Sequence, residues 1–348
     1  MLRGNSGNLL PSAANAATMT PVRSSAFTKG PILVQIAVGK EVDDSRLAAM
    51  QAAFPEVTFA SAEKDPDCVR DADAYIGRIP AEIHARCTDR LRWVHATGAG
   101  IETIIAIPEL VASDVVVTNT RGAHAPFVAE HTFALMLALT RRLSEFARDK
   151  QDHHYHAYGR GLPLDSLYGK RLLIVGMGNI GRAIANRALA FEMDVVGLDV
   201  MAPEQIMDGL TVLPMEHLDT ELETTDILVV AVPLTAETTN LIDASRIDAL
   251  KPGAMVIGIS RGNIIDEAAL AKRLHDGTLA GAGLDVYAEE PLPPDHMLWD
   301  TPRLVMTPHC APGTPLTRDR EFEITHENIR RFVAGEPLLN VCDKVAGF

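Results

Sequence analysis

Residues 172–182 read Leu-Leu-Ile-Val-Gly-Met-Gly-Asn-Ile-Gly-Arg. The apolar run Leu172 to Val175 has strand character and leads directly into Gly176-x-Gly178-x-x-Gly181. A helix-compatible stretch beginning at Arg182 follows at once. Strand, glycine turn and helix in that order make a dinucleotide fingerprint out of an otherwise weak string. Gly176 serves the tight turn, Gly178 lets backbone approach a pyrophosphate, and Gly181 permits close helix–strand packing. The helix N-terminus then turns N–H groups and a positive dipole end toward phosphate. The motif sits mid-chain, which leaves room for another domain before it.

The same β/α alternation runs outward on both sides. Towards the N-terminus, strands are expected at 32–38, 57–59, 74–76, 92–95 and 115–117, with a helix over 45–54. A long helical pattern over 123–147 reads as a connection between two domains. Towards the C-terminus, six strands are expected at 172–175, 195–199, 227–232, 255–259, 283–286 and 304–307. Helices are expected over 180–190, 217–223, 244–250, 266–276 and 322–332. Alternation of this kind implies parallel sheets covered by helices.

The chain has 348 residues and a formal net charge of −14. The length suits about two domains. The acidic balance disfavours nucleic acid and anionic membrane as partners, since both select for basic surfaces. No apolar stretch approaches the roughly 18 residues of a membrane span. Cys68, Cys87, Cys310 and Cys342 form no Cys-x-x-Cys pair and suggest neither a disulfide framework nor a zinc site. A reducing compartment, the cytoplasm, is expected. Residues 1–29 carry Arg3, Arg23 and Lys29 but no acid. They overlap a transit peptide in composition but lack amphipathic periodicity, so a disordered tail is expected. No regulatory domain is expected after Phe348.

Asp199 ends the expected strand after the fingerprint, 18 residues beyond Gly181. An acid there accepts hydrogen bonds from ribose hydroxyls and repels a 2′-phosphate. Val200 to Pro203 offer no cation to hold that phosphate, so NAD is favoured over NADP. Three polar segments then follow expected strands: Ser260 to Glu267, Asp285 to Pro291 and Thr307 to Ala311. They should gather at the carboxyl edge of the sheet, where α/β proteins bind ligands.

With these segments the chain resembles the D-isomer-specific 2-hydroxyacid dehydrogenase family over roughly residues 70–345. The motifs come in the family's order. They are Thr97-Gly98-Ala99-Gly100, Val128-Ala129-Glu130-His131, Gly169-Lys170, the fingerprint, Pro233-Leu234-Thr235, Lys251-Pro252-Gly253-Ala254, and the three segments above. The resemblance implies two Rossmann-like or flavodoxin-like parallel-sheet domains, with the NAD domain inserted into a discontinuous substrate domain. The expected division is a tail at 1–29, a substrate domain at 30–122 and 316–348, and a cofactor domain at 123–315. Asn340 to Asp343 resembles a closing segment that packs back on the first domain.

The resemblance also implies roles. Arg261 clamps a keto-acid carboxylate, His309 is the general acid/base, and Glu290 rather than Glu289 is its partner. Gly98, Ala99 and Gly100 cradle the substrate carboxylate with backbone N–H groups. Gly176, Gly178, Asn179, Ile180, Gly181, Asp199, Pro233 and Asp285 bind the cofactor. The implied activity is hydride transfer between NAD and a small 2-keto or D-2-hydroxy acid of glyoxylate or hydroxypyruvate type, by a homodimer pairing near 123–147. An NAD-sensing corepressor and a phosphite-type dehydrogenase are the alternatives on the same fold.

Some features fit less directly. Gly258 and Pro312 depart from the family pattern, and Tyr287 and His95 are candidate positions for substrate scope. Arg78 is the single cation of a short loop, which does not favour a phosphorylated substrate. No metal is expected. His153, His154 and His156 read as a solvated segment, and His124 and His131 as packing or interface residues.

Overall fold

A computed structural model of the chain describes residues 34–155, 157, 161–200 and 207–347. The expected tail at 1–29, the first two residues of the first expected strand, His156 and residues 201–203 lie outside the described residues.

Two parallel sheets organise the chain. The first has order β2-β1-β3-β4-β5, from β1 (Val34–Val38), β2 (Val57–Ser61), β3 (Ala74–Ile76), β4 (Trp93–Ala96) and β5 (Val116–Asn119). The second comprises β6 (Arg171–Val175), β7 (Asp194–Asp199), β8 (Leu210–Pro214), β9 (Ile227–Val230), β10 (Met255–Gly258), β11 (Gly281–Leu284) and β12 (Leu304–Met306). Its order is β12-β11-β10-β9-β6-β7-β8. Every pairing in both sheets is parallel.

Parallel strands are covered on both faces, which is why they read as unbroken apolar runs. All four residues of β9, Ile-Leu-Val-Val, are buried. One apolar cluster around Leu173, Leu228 and Val256 and another around Ile174, Val229 and Ile257 cover opposite faces of the larger sheet. In the larger sheet the strand order reverses between β6 and β9, and that crevice at the carboxyl edge is the ordinary ligand position.

The expected strands all form, within two residues of their expected ends where described. Three expectations change. The larger sheet has a seventh strand, β8, on its β7 edge. The expected 123–147 helix is two helices, Ala125–Thr140 and Leu143–Gln151, broken at Arg142 in the left-handed region (φ +55°). The expected helix 322–332 runs from Pro315 to Ala334, with the Thr314 side chain capping the N–H of Thr317.

The C-terminal segment returns to the first sheet. Val341 bridges Thr118, and the Cys342 N–H donates to the Val117 carbonyl at 2.8 Å. The Lys344 ammonium donates to the carbonyls of Leu110, Ser113 and Val115, which ties the last residues down.

Candidate functional site

A cavity of about 730 Å³ is lined by residues from the carboxyl edges of both sheets and from the Pro315–Ala334 helix. Arg261, Asp285 and His309 line it from the larger sheet, and Gly98, Ala99, Gly100 and Glu102 from the smaller. Arg261 follows β10, Glu290 follows β11 and His309 follows β12. These strands are sheet neighbours, so residues up to 48 apart in number reach one edge.

His309 Nδ1 donates to Glu290 Oε2 at 2.7 Å. The other oxygen of Glu290 accepts the Tyr287 N–H at 3.0 Å, which fixes the carboxylate. The carboxylate only accepts, so Nδ1 carries a proton and Nε2 is the nitrogen left for a ligand. Glu289 makes no such contact. His309 takes a left-handed backbone conformation (φ +51°), a strained state for a residue with a side chain and one that clusters at functional sites.

The Arg261 guanidinium donates through Nε to Glu102 Oε1 at 2.8 Å and through Nη1 to the Ser260 carbonyl at 2.8 Å. Burial opposes ionisation of Glu102, but the charge and hydrogen bond of Arg261, with the charge of Arg78, hold its carboxyl below the ordinary value. The Gly98 loop is anchored by Thr120 and Asn119. Gly98 N–H donates to Thr120 Oγ1 at 2.9 Å, and Asn119 Nδ2 donates to the Ala99 carbonyl at 2.6 Å. The expected cradle is therefore narrower than three N–H groups, because that of Gly98 is already committed. Those of Ala99 and Gly100 have no protein acceptor among the described residues.

On the cofactor side, Gly176 has φ +101° and packs on the Ala231 backbone. A Cβ at Gly181 would overlap the Gly176 carbonyl, so the turn closes only with glycine there. Gly178 caps the Asn179–Ala190 helix without a side-chain bond, and a Cβ on it would meet nothing within 4 Å. Asn179 Oδ1 accepts from Arg182 at 3.3 Å, while Ile180 and Pro233 line the cavity. Asp199 Oδ2 accepts the Met177 N–H at 2.7 Å, which puts this carboxylate against the glycine turn.

Asp285 is 1% exposed. Its Oδ1 accepts from Thr307 Oγ1 (2.6 Å) and the Cys310 N–H (2.9 Å), and its Oδ2 from the Ala311 N–H (2.9 Å). The Cys310 thiol also bonds to this carboxylate, and Asp285 lines the cavity.

The buried hydroxyls of Thr97 and Ser260 have no partner among the described residues, and both line the cavity. Buried polar atoms are nearly always paired. Orphan hydroxyls lining the cavity, an open glycine at Gly178 and a helix N-terminus with no side-chain cap each suit a ligand with polar groups.

Sequence reasoning missed Glu102 and gave His131 only a packing or interface role. Glu102 stands two residues past the glycine loop, a spacing that could have drawn notice. His131 Nε2 lies 2.8 Å from Thr307 Oγ1 and 3.5 Å from Asp285 Oδ1. It packs as expected, but inside the site. With Asp285 and Cys310 it places ligand atoms within 4.8 Å of one another, a donor set able to hold a metal ion. His124 Nε2 meets Glu321 Oε1 at 2.7 Å, and both residues line the cavity. His95 and Tyr287 are buried and bonded internally, so neither lines the cavity as a scope position. His154 faces Asp149 at 3.9 Å. No helix among the described residues is long and apolar enough to cross a membrane.

The model of the D-isomer-specific 2-hydroxyacid dehydrogenase NAD-binding domain matches residues 133–311. A glyoxylate reductase of Korarchaeum cryptofilum is 32% identical over 315 residues, covering 87% of this chain and 93% of the relative. A glyoxylate reductase of Thermofilum pendens is 37% identical over 281 residues, covering 77% and 80%. Among solved structures, a D-isomer-specific 2-hydroxyacid dehydrogenase of Xanthobacter autotrophicus, in complex with NADPH and MES, superposes with a TM-score of 0.77. It is 30% identical, with 90% of this chain and 99% of that chain covered.

Proposed function

The chain belongs to the D-isomer-specific 2-hydroxyacid dehydrogenase family, and on that premise we propose that it reduces a small 2-keto acid of glyoxylate or hydroxypyruvate type to the D-2-hydroxy acid, or runs the reverse. The enzyme is a nicotinamide-dinucleotide-dependent oxidoreductase. The observation that carries the catalytic reading is the Glu290–His309 pair at 2.7 Å, whose histidine lines the same cavity as Arg261.

A bound nicotinamide dinucleotide supplies or accepts the hydride. Gly176, Gly178 and Gly181 with Asn179 and Ile180 would hold its pyrophosphate, Asp199 its ribose, and Pro233 and Asp285 its nicotinamide end. Arg261 binds the substrate carboxylate as an always-charged fork, with the Ala99 and Gly100 N–H groups beside it. Protonated on both nitrogens, His309 donates the Nε2 proton to the carbonyl oxygen as that oxygen gains negative charge. In oxidation the same nitrogen takes the hydroxyl proton back. Glu290 stabilises the charged imidazolium and fixes the ring orientation.

Asp199 supports NAD over NADP, since its carboxylate repels a 2′-phosphate. The residues 30–122 and 316–348 form the substrate domain and 123–315 the cofactor domain, a division in keeping with the return of Val341 to β5. Two copies pair across the helices Ala125–Thr140 and Leu143–Gln151. Support comes from Leu143 and Leu164, both exposed, on segments tied together by Asp165 N–H to the Thr140 carbonyl at 2.9 Å. Four free cysteines suit the cytoplasm. The corepressor and phosphite alternatives gain nothing from relatives that are named glyoxylate reductases.

The test is a panel of 2-keto acids with NADH and NADPH, followed at the nicotinamide absorbance. His309→Ala should cut turnover by about 10²–10⁴-fold while NADH binding holds. No turnover on any keto acid, or unchanged turnover in the variant, would defeat the proposal.

A further inference from the structure

Glu102 reaches Arg261 from the opposite sheet. It is the first residue of the short helix Glu102–Ile105, just past the glycine loop that follows β4, whereas Arg261 follows β10. The guanidinium is held at two of its three nitrogens, Nε by Glu102 and Nη1 by the Ser260 carbonyl. A guanidinium has five N–H donors in a fixed plane. With these two spent, the Nη2 pair and the second Nη1 hydrogen remain as a fork. Nη2 lies against Gly100, where a Cβ would collide with both Nη2 and the Glu102 carboxylate. A side chain at position 100 would therefore displace both ends of the ion pair. The Arg78 guanidinium lies beside Gly98, so a second cation balances the Glu102 charge near the anion site.

We infer that Glu102 is a positioning residue: as hydrogen-bond acceptor for Nε it fixes the plane of Arg261, so that the free fork meets the substrate carboxylate. The inference rests on the reading of Arg261 as the substrate clamp. A long, flexible side chain loses less freedom on binding when it is already ordered. Removing the anchor therefore weakens keto-acid binding specifically. The Glu102 side chain spans the two sheets, so the anchor also depends on the glycine loop and the β10 end facing each other.

The experiment compares Glu102→Ala, Glu102→Gln and Arg261→Ala in the full-length enzyme with glyoxylate, alongside NADH affinity by fluorescence and thermal stability. Glu102→Ala should raise KM for glyoxylate by about tenfold or more, with kcat falling less and NADH affinity unchanged. Glu102→Gln keeps an acceptor oxygen and should restore KM to within about threefold of wild type. Three results overturn the inference: an unchanged KM in Glu102→Ala, equal damage in Glu102→Gln, or a parallel loss of NADH affinity. If Arg261→Ala is impaired while Glu102→Ala is not, the inference alone fails. If Arg261→Ala leaves KM unchanged, the clamp reading fails and the inference goes with it.

Discussion

His95 should make the protein lose stability in mild acid, before most carboxylates titrate. It lies on β4 with no solvent exposure. Its two nitrogens meet Thr118 Oγ1 at 2.7 Å and Thr325 Oγ1 at 2.9 Å. The neighbouring bonds fix the proton positions. Thr325 Oγ1 donates to the Glu321 carbonyl at 2.8 Å, so it accepts from His95 Nε2. Trp93 Nε1 donates to Thr118 Oγ1 at 2.8 Å, and the Thr118 hydroxyl donates in turn to Nδ1. A proton added at Nδ1 would leave the Thr118 hydroxyl hydrogen without its acceptor. Burial pushes His95 down to about 3 from the ordinary histidine value of 6.5. The folded state therefore keeps it neutral while the unfolded chain takes up a proton below about pH 6.5. The stability is fully present above that pH and falls by about 1.4 kcal/mol per unit as pH drops towards the folded value. From about pH 7.5 to about pH 5 the loss is about 2 kcal/mol. His326 is also lowered by burial and adds in the same direction, but it is common to wild type and variant. The assay is urea unfolding of wild type and His95→Gln at both pH values. Tryptophan fluorescence in a Trp299→Phe background leaves Trp93 as the only reporter, because the chain has two tryptophans. Wild type should lose about 2 kcal/mol more than the variant on acidification. Equal pH slopes would refute the reasoning. The effect reaches the cavity, because Thr325 and Glu321 line it.

Two further outcomes are expected. Asp199→Ser keeps an acceptor for the Met177 N–H and removes the charge, so the ratio of kcat/KM for NADPH over NADH should rise by about tenfold or more, equivalent to about 1.4 kcal/mol. An unaltered ratio, measured by initial rates with each cofactor, would count against a ribose role. Sedimentation equilibrium should show a dimer that Leu143→Asp dissociates, and a monomeric wild type at micromolar concentration would rule out the proposed pairing.

Most of the fold was legible because most of the parallel strands are largely buried and marked by an apolar run. β8 escaped for the opposite reason. Leu210 alone is fully buried in Leu-Thr-Val-Leu-Pro, and the strand pairs on one side only. An edge strand needs little apolar patterning, and Pro214 at its end reads as a loop signal. The break between Thr140 and Leu143 carries neither glycine nor proline. It is imposed by tertiary contacts, since the Arg142 side chain donates to the Pro163 carbonyl and to Glu145. The start of the last helix, in contrast, was written in the chain: Thr314 as cap and Pro315 at the first turn form a standard entry signal.

The site divides along a similar line. Arg261, Glu290 and His309 could be gathered in advance because all three follow strands of one sheet, and the carboxyl ends of neighbouring parallel strands lie side by side. The carboxylate of Asp285 could be placed but not its bonds, since the donors are the Thr307 hydroxyl and the Cys310 and Ala311 N–H groups, which follow the next strand, β12. The Glu102–Arg261 pair joins residues 159 apart on different sheets, and no periodicity encodes which residue of one lobe faces which of the other. Gly100 shows the cost of that gap. Read alone, it explains a close approach to substrate. Read with Arg261 and Glu102 in place, it also clears the space in which the clamp is held. Substituting it would therefore disturb both the anion site and the residue that makes the site cationic.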